Sequence, residues 1–133
     1  MGLRDFIIFD MIVRNALLFP ARKAWVFGNH RSTFHQFLAE INRLSFGIKK
    51  LGLRKGDRLE VLSQNCYEYV LLYGASAKLG AVMLPINWRL NAQEIEYILL
   101  DGTPRFLFLG PEYEAVAKGI YSKINNINAL ITF

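Results

Sequence analysis

Three features of the sequence predict an α/β fold with a largely parallel sheet and covering helices. Short runs of β-branched, aromatic and aliphatic residues, such as "RLEVLS", "AVMLPI" and "RFLFLG", alternate with longer stretches whose apolar residues recur at helical spacing. Three of those stretches open on a capping pattern, with Thr33 and Gln36, Asn65 and Glu68, and Asn91 and Glu94 each three residues apart. Apolar residues make up 53% of the 133 and charged residues 20%, with no Ser-, Gly- or Pro-rich tract, so the chain favours a buried core over disorder. A strand–helix–strand rhythm requires crossover connections, which are right-handed and leave the strands parallel.

Residues 1–20 are expected to form an apolar helix that precedes the sheet. Over residues 3–19, Phe6, Ile8, Phe9, Ile12, Val13, Ala16 and Phe19 share one broad face, while Ile7, Met11 and Leu18 lie opposite among Arg4, Arg14 and Asn15. A helix apolar on both sides calls for cover on both, first from another part of the protein and otherwise from a second copy or a membrane surface. Arg4, Asp5, Asp10 and Arg14 interrupt every apolar run well before membrane-spanning length, so neither a signal peptide nor a transmembrane helix is predicted. Pro20 ends the helix.

Residues 24–34 read as a hairpin turning at Gly28-Asn29, and helix and strand alternate from 34 to 133. Thr33 and Gln36 open a helix that places Phe34, Phe37, Leu38, Ile41, Leu44, Ile48 and Leu51 at helical spacing before Gly52 stops it. Residues 58–63 form a strand, and Asn65 with Glu68 opens a helix to about Gly80. Residues 81–86 read as a buried strand in which Pro85 removes one backbone donor. Asn91 and Glu94 then open a helix to about Leu100 that buries Ile95, Ile98 and Leu99. "RFLFLG" is the next strand, Pro111 takes the first position of a helix over roughly 112–124, and "NALITF" is the last strand. An apolar strand that stops at Phe133 with no turn, charge or capping residue after it is expected of a chain cut short, an incomplete part of a larger domain.

The formal charge is +5, and its one cluster comprises Lys49, Lys50, Arg54, Lys55 and Arg58. The cluster falls where a helix ends, and cations there complement the C-terminal dipole. It lacks the interleaved aromatics that stack bases, so no nucleic-acid partner is expected. Cys66 is the only cysteine, which excludes an internal disulfide and suits a reducing, cytoplasmic location.

The residues offer no catalytic, cofactor-binding or metal-binding constellation, and leave substrate-binding residues undetermined. Neither G-x-x-x-x-G-K-[ST] nor G-x-G-x-x-G occurs, and "GLRKGD" at 52–57 follows a helix and enters a strand, the wrong order for a phosphate loop. His30, His35 and Cys66 lack metal-ligand spacing and read as hairpin, first-turn and packing residues. Glu94 and Glu96, like Glu112 and Glu114, are two apart and point to different helix faces, so neither pair suits general acid–base work. Cys66 would lie in the first turn after Asn65, where a helix N-terminus favours a thiolate, but no histidine stands near it in sequence.

Taken together, "RSTFHQFLAEINRLSFGIKKLGLRKGD", "KLGAVMLPIN" from Lys78 to Asn87, and "NWRL" with its capped helix resemble the N-terminal part of the acyl-adenylate-forming enzymes, in the fatty acyl-CoA synthetase branch. The likeness covers about residues 13–115, with Thr33-Phe34 and Phe37-Leu38 in place of the family's Thr-Tyr-x-Glu-Leu core. It implies a full enzyme that converts a carboxylate and Mg·ATP to an acyl-adenylate and then to acyl-CoA. The family's Ser/Thr/Gly-rich phosphate loop, later adenylate motifs and C-terminal lysine do not occur in these residues, so no catalytic residue carries over and the segment is expected to bind no cofactor and be inactive alone. ATP, Mg and CoA belong to the expected full enzyme. The expected partners are the remainder of the synthetase and a second copy through the first helix, with a weaker membrane-surface contact. Two other readings stay open: a short non-catalytic dimerisation or partner-binding module on the same scaffold, and, less favoured for want of a glycine-rich loop, a small nucleotide-binding domain.

Overall fold

The computed structural model describes residues 6–124 and 127–133. Met1 to Asp5, which include part of the expected first helix, lie outside the described residues. In chain order the elements are α1 (Ile8–Leu18), β1 (Lys23–Phe27), β2 (His30–Thr33), α2 (Phe34–Lys50), β3 (Arg58–Leu62), α3 (Tyr67–Leu79), β4 (Val82–Ile86), α4 (Ala92–Gly102), β5 (Phe106–Leu109), α5 (Glu114–Tyr121) and β6 (Ala129–Thr132). β1 and β2 pair antiparallel as a separate hairpin, and the other four strands form one parallel sheet in the order β4-β3-β5-β6. The α/β class, the parallel sheet, the leading helix and the hairpin are all present.

Strand alternation divides the sheet into two faces. Leu59, Val61, Phe106 and Phe108 project to one face and pack with Ile48 of α2 and Tyr69, Leu72 and Ala75 of α3. Leu62, Leu107, Leu109 and Ile86 project to the other and pack with Ile95 and Leu99 of α4 and Ala117 and Ile120 of α5. A smaller cluster of Phe37, Ile41 and Tyr67, with Phe9, Ile12 and Ala24 against it, fixes α1 and the hairpin to the outside of α2 and α3. The result is an α1-and-hairpin layer, a helix layer, the sheet and a second helix layer.

Local chemistry explains most element boundaries. Thr33 Oγ1 accepts the Gln36 N–H at 3.3 Å while Gln36 accepts the Thr33 N–H at 2.9 Å, closing the first capping box. Asn91 Oδ1 accepts the Gln93 and Glu94 N–H groups at 3.0 Å, and Glu94 accepts the Asn91 N–H at 2.9 Å. Gly80 takes a left-handed conformation, φ 66°, just past α3, which a side chain would strain.

Four sequence expectations are corrected. The box at Asn65 and Glu68 does not form: α3 begins at Tyr67, so Cys66 is the N-cap residue rather than a first-turn residue, and no side chain caps that end. α1 begins at Ile8, where the Asp10 carboxylate accepts the Ile7 N–H at 2.9 Å, so Phe6 and Ile7 precede it and only Phe9, Ile12, Val13 and Ala16 of the expected face turn inward. Residues 111–124 are a 3₁₀ turn at Pro111–Tyr113 followed by the shorter α5. Finally, β4 is an edge strand with Val82 and Pro85 exposed, because the chain crosses back over β3 to reach β5.

Candidate functional site

Strand order places one position in this sheet apart from the others. From β3 the chain moves outward to β4 through α3 on one face, then returns past β3 and continues through β5 to β6 with α4 and α5 on the other face. The reversal falls between β3 and β5, and ligands of open α/β sheets bind outside the strand C-termini at such a point. The loops leaving β3 and β5 there enclose a crevice of about 350 Å³.

Its walls come from the ends of both strands. Ser63 follows β3, is buried, donates to the Gln64 carbonyl at 2.8 Å and lies 3.8 Å from Cys66 Sγ. Gly110 follows β5 and donates its N–H to the Leu62 carbonyl at 3.0 Å. A Cβ on Gly110 would meet Glu112 Oε2 at 2.9 Å and Ser63 Oγ at 3.0 Å, so the two loops approach closely there. Phe27 of the hairpin, Glu68 of α3 and Phe133, whose ring stacks on Phe108 at 6.4 Å, complete the crevice.

The electrostatics suit no phosphate. Glu68 and Glu112 bring two carboxylates to the crevice, while no Lys or Arg lines it. Burial pushes the Cys66 thiol up, away from the thiolate a nucleophile needs. The crevice therefore offers two carboxylates, amides, one hydroxyl and apolar walls, with no cation beside its thiol.

The other sequence candidates are dispersed through the fold. His30 begins β2 with its ring 4.1 Å from that of Tyr67, and His35 is exposed in the first turn of α2. Glu94 serves its cap, Glu96 pairs with Lys123 at 2.8 Å, and a 3.0 Å hydrogen bond from Lys118 holds the Glu114 carboxyl below its ordinary range. In the 52–57 turn, Asp57 accepts the Arg54 N–H at 2.8 Å and the Gly56 N–H donates to the Gly80 carbonyl at 2.9 Å, so the backbone there holds the turn. Lys49 and Lys50 end α2, whereas Arg58 leaves that helix and donates to the Gly102 carbonyl and Thr103 hydroxyl at the end of α4. Among the described residues no three His, Cys, Asp or Glu side chains cluster as metal ligands, and no helix is long and apolar enough to cross a membrane.

Glu60, a residue the sequence reading passed over, is fully buried in β3 and neither of its oxygens has a hydrogen-bond partner. Burial pushes its carboxyl up to about 8, Arg58 opposes that and Asp101 adds to it. No neighbour in sequence marks this acid as buried; the central place of β3, covered on both faces, buries it.

Comparison with known proteins places this geometry. The family described as "AMP-binding enzyme" matches residues 12–130. The chain is 37% identical over 102 residues to the long-chain-fatty-acid–CoA ligase FadD13 of Mycobacterium tuberculosis, covering 75% of this chain and 20% of that protein. It is 38% identical over 86 residues to the fatty acid–[acyl-carrier-protein] ligase ScoC of Streptomyces coeruleorubidus, covering 65% of this chain and 17% of that one. A Rhodopseudomonas palustris CGA009 crystal structure, assigned to the long-chain-fatty-acid CoA ligases, superposes with a TM-score of 0.95 at 39% identity over 99% of this chain and 34% of its own. This chain thus spans about a fifth of the length of those curated relatives.

Proposed function

This chain belongs to the AMP-binding enzyme family, and from that membership we propose that it forms the N-terminal part of an ATP-dependent fatty acyl-CoA ligase, supplying scaffold rather than reacting groups. The observation that carries this reading is the superposition of 99% of the chain on 34% of a ligase-like structure at 39% identity. In the whole enzyme a carboxylate and Mg·ATP would give an acyl-adenylate and pyrophosphate, and the acyl group would pass to the thiol of CoA. Such chemistry depends on preorganised donors and cations around the transferring phosphates. The crevice at the switch point carries Glu68 and Glu112 instead and no Lys or Arg, so it does not fit ATP phosphates, and no step is assigned to its residues.

The partner in this reading is the remainder of the synthetase, and the setting is the cytoplasm, where the free Cys66 stays reduced. Two measurements test it. Purified chain supplied with fatty acid, ATP, Mg and CoA is expected to yield no acyl-CoA, and an antibody raised against these residues is expected to detect a polypeptide several times larger in source-cell extract. Turnover by the purified chain, or a native band at its own size, would overturn the proposal.

One observation favours a second reading, a dimerisation module. Ile8, Met11, Leu17 and Leu18 of α1 are exposed, Leu17 to 76%. Sedimentation at increasing concentration separates the two: a module gives a discrete dimer, a scaffold segment gives aggregates without stoichiometry.

A further inference from the structure

Arg58 and Glu60 are two residues apart on the same face of the central strand β3, and both converge on Gly102, the last residue of α4. Arg58 donates to the Gly102 carbonyl and the Thr103 hydroxyl, which satisfies the open C-terminal end of that helix. The Glu60 carboxyl is pressed so closely on Gly102 that a Cβ there would overlap its Oε1, and Leu84 of β4 closes the same space. The flanking strand partners, Leu84 and Leu107, offer no side-chain donor. The charged groups around the carboxyl are Arg58 on its own strand and Asp101 on α4. Arg105, at the start of β5, turns to Asp57 at 3.9 Å, and β4 contributes no titratable side chain.

We propose that Glu60, Arg58 and Gly102 form a pH-operated latch on the C-terminal end of α4. With Glu60 protonated, Arg58 is free to hold the last carbonyl of the helix. When Glu60 releases its proton to solvent, a buried carboxylate without donors is costly, and Arg58 is the cation on the same strand face that can relieve it. Arg58 then leaves Gly102 and Thr103 for Glu60, and the joint from α4 through Thr103 into β5 loosens.

The sign follows from the direction of the shift. The ordinary value is 4.5 and the fold raises it to about 8, so the folded state prefers the neutral acid. The stabilisation is complete below 4.5 and is lost as pH rises towards and through the folded value. The latch is therefore closed in acid and at neutrality and opens on the alkaline side.

The test uses the full chain. Hydrogen exchange at the Gly102, Thr103 and Arg105 amides, corrected for intrinsic rate and compared with α2, is followed from about pH 6 to about pH 9, alongside the carbon-13 resonance of the Glu60 carboxyl. The expected result is a carboxyl midpoint near 8 and a loss of protection of about tenfold at those amides with little change in α2. Glu60→Gln should hold protection level across the range, with Glu60→Leu serving the same purpose if the first variant does not fold, and Arg58→Met should leave protection low at every pH. A carboxyl midpoint in the ordinary range, an unchanged step in the Glu60 variants, or a full step in Arg58→Met would each overturn the latch.

Discussion

The sheet and the α1-and-hairpin layer are comparably apolar in sequence but differ in burial. Leu59, Leu62, Phe106, Leu107 and Leu109 are fully buried, because α2 and α3 cover one face of the sheet and α4 and α5 the other. In α1 only Ala16 is buried, while Ile8, Met11, Leu17 and Leu18 are exposed, as are Trp25, Val26 and Phe27 in the hairpin. Apolar composition states that cover is needed; the number of elements that can reach a surface decides whether it is met. Strands β3 and β5 find cover on both faces within this chain, whereas the outer layer presents a surface suited to further protein.

The largest expected effect is in the inner region. Phe106→Ala opens a void between α2, α3 and the sheet and should cost about 3–5 kcal/mol in urea denaturation. If it cost no more than an α1 substitution, the two regions would not differ in the sense drawn here. A middle-sized effect sharpens the contrast at the helices that cover the sheet: Asn91→Ala loses two accepted N–H bonds and should cost about 1 kcal/mol. Asn65→Ala, at the box that does not form, should be close to neutral by the same measurement. The smallest is expected in α1, where Leu17→Ser should change stability by less than about 0.5 kcal/mol while reducing self-association seen by sedimentation. A cost near that of Phe106→Ala would place Leu17 in a core the structure does not show.

Much of the fold was legible because it depends on local chemistry. The Thr33/Gln36 and Asn91/Glu94 boxes, the Gly52 and Gly80 stops and the alternating strands each rest on neighbours in sequence. What was illegible depends on strand order. The same residues "AVMLPI" would be buried in a central strand and are half-exposed at the edge, and nothing in their composition distinguishes the two. The crevice follows from the reversal between β3 and β5, so no motif announces Ser63 and Gly110. Asn65 and Glu68 have the right spacing for a box, yet α3 starts at Tyr67 with Cys66 rather than Asn65 at its N-cap, and both residues line the crevice. Glu60 escaped notice because one acid in a short strand has an unremarkable alternative on a solvated face.

Pro85 has a consequence for how this sheet behaves as a template. β4, at one side of the sheet, carries a proline, which cannot donate to an incoming strand. Addition of unpaired backbone, whether productive or leading to fibrils, is therefore impeded at the β4 side, and that side of the sheet is blunted.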